Sequence, residues 1–360
     1  MYIEHIHVSV EELPLVKPFK TALRTATAID NVFVEIQLDN GLKGMGAAAP
    51  TVAITGDSTQ GIVSVIKEVI APKLIGQKIT KLHVLSELIQ KSCRGNTSAK
   101  AAVEIAVYDA ACRYWQIPLY ELLGGETNQL RNDMTVSVGG KEEMMADARK
   151  IIEDGFSIIK VKAGKDWPRD LERIYAIREA VGEEVTIRID ANQGWTVNQA
   201  LNIITEMENR KLNIELIEQP VKAHDIQGLK IIKQHVRTPI MADESLFSPM
   251  DAMKLLSEQA VDYLNIKLMK TGGIRRALQI ADMAEAAEVE CMIGSMMESM
   301  VSVSAAIHLA VAHPNITKID LDAPLWIKDQ QFEGILYEKD TIQVSQEPGL
   351  GIKRKNTSSS

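Results

Sequence analysis

In the second part of the chain, carboxylates and lysines recur at the ends of short apolar stretches. Asp190, Glu218 and Asp243 each close such a stretch, as do Lys162 and Lys267, and Asp320-Leu321-Asp322 closes another. One acid in such a place does no more than cap the following helix. Several charges gathered at one end of a core are costly unless an ion or a substrate lies between them. Asp190, Glu218 and Asp243 have no Cys or His beside them, so they offer only oxygen, which favours Mg²⁺, with Mn²⁺ second and zinc disfavoured. A lysine at its ordinary pKa of about 10.4 is protonated and is no base. Lys160, two residues before Lys162 on the same strand face, and a nearby cation are expected to disfavour the charged form of Lys162.

The stretches that carry these residues repeat. Strand candidates lie at Thr135–Val138, Ile158–Lys162, Thr186–Asp190, Ile214–Glu218, Pro239–Asp243, Tyr263–Lys267, Glu290–Gly294 and Lys318–Asp322. Amphipathic helical stretches such as Asp166–Val181, Asn198–Arg210 and Gly272–Ala287 separate them. Eight β-α units of near-continuous apolar strands imply a parallel sheet covered by helices and closed into a (β/α)₈ barrel. An open doubly wound sheet would carry a Gly-rich phosphate loop after its first strand. None is present, and Gly44-Met45-Gly46 sits in a hairpin.

Residues 1–125 read as a separate α+β capping domain, the barrel as 126–325, and residues 326–350 as completing the cap. Val32–Leu38 and Leu42–Ala48 flank the hairpin turn Asp39-Asn40-Gly41, and Ser98–Trp115 is an Ala-rich helix ended by Pro118. The polar tail 351–360 is expected to fray.

Barrel enzymes build their sites at the C-terminal ends of the strands. On that ring Lys162, on the second strand, and Lys267, on the sixth, lie diametrically opposed, with the three metal acids on strands between them. A substrate carboxylate held at the metal would have its α-carbon flanked by a lysine on each face. One lysine removes the α-proton and the other delivers one, inverting the centre through an enediolate whose charge the cation stabilises. Asp320 and Asp322, two apart and thus on one strand face, lie across the cavity, where they suit a distal ammonium. A free amino acid is too short to span the two ends, and a dipeptide zwitterion fits.

Composition agrees with a large soluble core: 46% of the 360 residues are hydrophobic and 24% charged. A net charge of −8, with no basic stripe, argues against nucleic acid. The apolar runs, about 5–8 residues, fall far short of a membrane span, and Met1–Val10 alternates rather than forming a signal sequence. Three scattered cysteines suit a reducing cytoplasm.

The segments IIKVKAG (158–164), RIDANQGW (188–195), ELIEQP (215–220), ADES (242–245) and NIKLMKTGG (265–273) resemble the enolase superfamily, specifically its muconate-lactonizing-enzyme-like subgroup. DLDAP (320–324) is similar to the Asp-x-Asp motif of the dipeptide epimerases within it, and PFKTALRT (18–25) and TGDS (55–58) look like the two capping-domain loops. The resemblance spans about residues 1 to 350. It implies a lysine base with one Mg²⁺ per subunit, acid/base roles for Lys162 and Lys267, and ligand roles for Thr135, Lys160, Ser295, Met297, Asp320 and Asp322. It also implies that Arg24 meets a glutamate side chain of the substrate, as in Ala-Glu epimerases, and that the chain assembles into a homo-oligomer. Ala47 departs from the pattern, which has glutamate there in many members. Epimerisation of hydrophobic dipeptides, N-acylamino acid racemisation and o-succinylbenzoate synthesis are the neighbouring reactions. The last two use substrates without a free ammonium, against which Asp320 and Asp322 argue.

Overall fold

The computed structural model describes residues 1–20, 25–126, 129–164 and 166–355. Three antiparallel strands open the chain: β1 (Ile3–Lys20), β2 (Thr25–Leu38) and β3 (Lys43–Ala48). Asn40 Oδ1 accepts the Leu42 amide in the expected hairpin turn, and Gly41 takes φ +82. Helices follow, the longest being Thr97–Trp115, whose interior is buried on every side. Its Ala102, Ala106 and Ala110 lie against β3, so closely that a Cβ at Gly46 would overlap the Ala102 carbonyl.

After the short strand β4 (Gln129–Arg131) come eight parallel strands in sequential order: β5 (Met134–Val136), β6 (Ile158–Lys162), β7 (Thr186–Asp190), β8 (Ile214–Glu218), β9 (Ile240–Ala242), β10 (Tyr263–Ile266), β11 (Glu290–Gly294) and β12 (Ile316–Asp320). Helices Trp167–Val181, Val197–Asn209 and Ile274–Ala286 cover the outside, within a residue or two of the periodicity. The seam between β12 and β5 carries no continuous ladder. It is bridged by the Asp133 amide on the Ile319 carbonyl (3.4 Å), the Leu321 amide on Asn132 Oδ1 (2.8 Å) and the Thr135 amide on Asp322 Oδ2 (2.9 Å).

Two expectations need correction. The eighth strand runs Ile316–Asp320, two residues earlier than Lys318–Asp322, because Asp322 turns out of the strand at the start of a 3₁₀ turn, Ala323–Trp326. Among the described residues the eighth unit also lacks an α-helix. Instead, the chain returns to the first domain, where Leu15 pairs with Ile327, the Lys328 amide reaches the Pro14 carbonyl, and Phe33 meets Phe332. Within the expected tail, Lys353–Arg354 pairs with Phe332–Glu333, and residues 356–360 lie outside the described residues.

Candidate active site

Parallel register sets the site. Lys162 pairs with Asp190 and Asp190 with Glu218, so three charged ends form one row at the mouth of the barrel. Asp243 and Lys267 stand one residue beyond β9 and β10. Gly294 ends β11, and a Cβ there would crowd Lys267 Cε at 3.0 Å and Asn265 Oδ1 at 2.9 Å. Glycine at that point gives the lysine its path to the cavity.

Asp190, Glu218 and Asp243 are buried, and each offers an oxygen within 4.8 Å of the others. Lysines crowd them. Lys162 Nζ donates to Asp190 Oδ2 (2.6 Å) and Lys267 Nζ to Asp243 Oδ2 (2.8 Å). Lys160 Nζ lies 2.6 Å from Glu218 Oε2, 2.6 Å from Asp320 Oδ2 and 3.3 Å from Asp190 Oδ2. Burial opposes the charge of Lys160, but Asp320, Glu218 and Asp190 outweigh it and hold its pKa well above the usual lysine value. For Lys267, burial is likewise outweighed by Asp243 and Glu218, and its pKa lies above the usual value. Burial and the charge of Asp190 push Glu218 up to about 7.

The cluster fits a hard divalent cation. Its donors are carboxylate oxygens, and among the described residues Glu218 Oε2 accepts no aligned hydrogen bond despite the Lys160 ammonium and the neighbouring Glu244 Oε2 has no partner. A cation held there by Asp190, Glu218 and Asp243 would supply positive charge against a substrate carboxylate and would draw off the carboxylate charge that raises Lys160 and Lys267.

A cleft enclosing about 690 Å³, mouth included, opens over the cluster. Thr135, Lys162, Asp243, Lys267, Ser295, Met297, Asp320 and Asp322 all line it, while Asp190, Glu218 and Lys160 sit beneath as buried support. Asp320 and Asp322 both face the cleft, but not as equal neighbours on one strand. Asp320 is paired with Lys160, which overcomes burial and draws it down to about 2. Among the described residues Asp322 accepts from neutral donors, the Thr135 amide and side chain and the Trp326 indole N–H (3.1 Å), and burial with the charge of Asp320 raises its pKa. Arg24 falls in residues 21–24, outside the described residues.

Several residues join the site unannounced by strand-end reading. Lys270 bonds to the carboxylate and the carbonyl of Asp243, and Asn265 Nδ2 donates to Glu218 Oε1 (2.8 Å). Thr51, Ala53 and Ile54 line the cleft from the first domain, just before the TGDS segment. In that segment Ser58 caps the following turn by accepting the Gly61 amide, and Asp57 accepts the Ser98 amide at the start of the helix Thr97–Trp115. One layer below the metal acids, Arg188 bonds to Asp133 (2.8 Å) and Glu215 (2.6 Å), and Lys318 reaches Glu215 (3.3 Å). Arg188 stands two before Asp190 and Lys318 two before Asp320, and that same-face spacing was the available signal.

A barrel with carboxylates on three adjacent strands and lysines on opposite sides matches two family models, the mandelate racemase / muconate lactonizing enzyme N-terminal domain over residues 4–124 and the enolase C-terminal domain-like family over residues 143–358. The chain belongs to the enolase superfamily. This member is similar to the L-Ala-D/L-Glu epimerase of Clostridium acetobutylicum, at 46% identity over 357 residues, with 99% of this chain and 100% of that one covered. Among solved structures, the substrate-liganded L-Ala-D/L-Glu epimerase of Bacillus subtilis has a TM-score of 0.96 at 46% identity, covering 98% of this chain and 99% of that one. The dipeptide epimerase of Enterococcus faecalis V583, complexed with Mg and the dipeptide L-Leu-L-Tyr, has a TM-score of 0.95 at 38% identity, covering 98% and 100%. No helix among the described residues of this superfamily member is long and apolar enough to cross a membrane.

Proposed function

We propose that the chain is a Mg²⁺-dependent dipeptide epimerase, an isomerase that inverts the α-carbon of the C-terminal residue by two-base proton transfer. The observation that carries this is the polarity of one cleft. Lys162 and Lys267 enter it from β6 and from just past β10, four strands apart on the eight-stranded ring, with the carboxylate cluster between them. Asp322 lies in the same cleft without a cationic partner among the described residues. A ligand with a carboxylate at one end and an ammonium at the other satisfies both ends, and the similar proteins bearing dipeptide epimerase names support that class.

One Mg²⁺ per chain, held by Asp190, Glu218 and Asp243, supplies the cation. L-Ala-D/L-Glu is the preferred substrate on this reading, with Arg24 pairing with the acidic side chain through the planar fork that suits a carboxylate. We place the protein in the cytoplasm, in keeping with Cys93, Cys112 and Cys291 all being free thiols.

The test is α-deuteration in D₂O with Mg²⁺ present, across L-Ala-L-Glu, hydrophobic dipeptides and N-acylamino acids. L-Ala-L-Glu is expected to take up deuterium at its C-terminal α-carbon fastest, and EDTA to stop the uptake. Faster exchange of N-acylamino acids would replace dipeptide epimerisation with racemisation, and undiminished exchange in EDTA would remove the metal from the mechanism.

A further inference from the structure

Asp320 and Asp322 both line the cleft, but only Asp322 lacks a cationic partner among the described residues. Asp320 Oδ2 is engaged by the Lys160 ammonium at 2.6 Å. Asp322 spends Oδ2 on the Thr135 amide and on Nε1 of Trp326 at 3.1 Å, with neither donor charged. The Thr135 side chain is a further neutral donor to this carboxylate, so its negative charge meets no cationic partner among the described residues. These donors together fix the orientation of the carboxylate, and the indole is the one of them that comes from beyond the strand β5.

Trp326 is itself held from the first domain. Its side chain is 2% exposed. Phe19, at the end of β1, meets its ring edge-on, with centroids 4.9 Å apart and planes at 80°. The Lys17 ammonium stands 5.4 Å from the ring centroid, and Lys17 is anchored by Asp147 at 2.8 Å. Phe19 lines the cleft. One indole therefore touches the cap strand with its ring and the recognition carboxylate with its N–H.

We propose that Trp326 is a positioning and specificity residue: its N–H aims the Asp322 carboxylate at the substrate ammonium, and its ring couples that aim to the seating of Phe19 on the cap strand. This deepens the dipeptide reading and rests on it. The occupant it serves is a primary ammonium at the substrate end far from the carboxylate cluster.

Trp326→Phe keeps an aromatic ring for Phe19 and removes the N–H. A hydrogen bond to a charged group remote from the reacting carbon contributes alike to ground and transition states, so its loss is read in KM. The variant is expected to raise KM for L-Ala-L-Glu about tenfold, with kcat little changed. The Ki of N-propionyl-L-Glu, the same molecule without the ammonium, should stay at its wild-type value. Phe19→Ala, a change at a partly buried side chain, should raise KM for the free-amine substrate more than Ki for the desamino analogue. Equal changes for the two ligands in either variant, or no change in both, overturn the proposal, because a merely structural indole would not distinguish them. If the wild-type enzyme exchanges no dipeptide α-proton at all, the parent reading falls and takes this one with it. Exchange in the wild type with unselective variants sinks only the role of Trp326.

Discussion

The two ends of the cleft are built on different plans. At the carboxylate cluster, Asp190, Glu218 and Asp243 and the four lysines Lys160, Lys162, Lys267 and Lys270 come from consecutive strands or the residues just beyond them. Their spacing is set by the parallel ladder. At the far end, Asp320 closes β12 but Asp322 lies on a turn, and its partners are a backbone amide, an indole and, through that indole, a side chain of the first domain. The first plan holds its side chains rigidly, and the second rests on loops that can vary without disturbing the cluster. Damage to the cluster end should therefore abolish turnover, whereas damage to the far end should redistribute it among substrates.

The largest effect is expected for the lysines. Lys162→Ala or Lys267→Ala should stop epimerisation, because inversion needs a proton taken on one face and returned on the other. Each variant should still exchange the α-proton of one epimer, and of the opposite epimer in the two cases. Proton NMR of each epimer in D₂O reads this directly. Exchange of both epimers by Lys267→Ala would falsify the two-base arrangement.

Next comes the metal cluster, where the choice of residue matters. Asp243 holds Lys267 and Lys270 at once, so neutralising it strands two buried ammoniums and costs stability as well as activity. Glu218→Gln is cleaner. Asn265 can still donate to the remaining carbonyl oxygen, and Lys160 keeps Asp320 and Asp190. Activity should fall by roughly 10³-fold or more, in line with the loss of transition-state charge stabilisation worth several kcal/mol. The metal-free melting temperature should move little, and the rise that Mg²⁺ gives the wild type should vanish. A variant that still melts higher with Mg²⁺ would take Glu218 out of the metal site.

At the far end the expected losses are smaller and selective. N-acetylating the substrate should cost roughly 2–5 kcal/mol in kcat/KM, the range for removing one partner of a buried charge-assisted pair. Equal turnover of acetylated and free dipeptides would mean that Asp322 recognises no ammonium.

The same contrast separates what the sequence shows from what only folding shows. Strand-end charges are visible because a buried parallel strand is apolar until it emerges, so Asp190, Glu218 and Lys162 announce themselves. The stretch Ile316 to Asp322, ITKIDLD, alternates well enough to fit two registers. What places the strand end at Asp320 is the side chain of Asn132 taking the Leu321 amide across the seam, a contact 189 residues apart. Lys270 and Trp326 are illegible for the same reason, since their partners lie on another strand or in the other domain and leave no mark on local periodicity.

One residue of the first domain reaches the lysine side, and it yields the smallest effect. Glu104 sits wholly buried in the helix Thr97–Trp115, where its Oε2 accepts the Arg275 amide (3.1 Å) at the start of the helix after Lys267. Alongside it, Gln90 Nε2 holds the Gly272 carbonyl at 2.7 Å. The cap thus buttresses the loop that carries Lys267, with a carboxyl that burial pushes up to about 7 from an ordinary 4.5. Between those two values the folded chain keeps a proton that the unfolded chain has released. Stability contributed by this group is therefore fully present below pH about 4.5 and falls as pH rises through about 7. A shift of that size corresponds to about 3 kcal/mol. Glu104→Gln removes the titration but keeps an acceptor for the Arg275 amide, so the variant should gain on the wild type from pH 5 to pH 8 by up to that amount. Thermal or urea unfolding of both chains across the range, with EDTA present, measures the difference, in which all other titrating groups cancel. Parallel curves would show that Glu104 is already ionised in the folded protein and that the buttress carries a full charge.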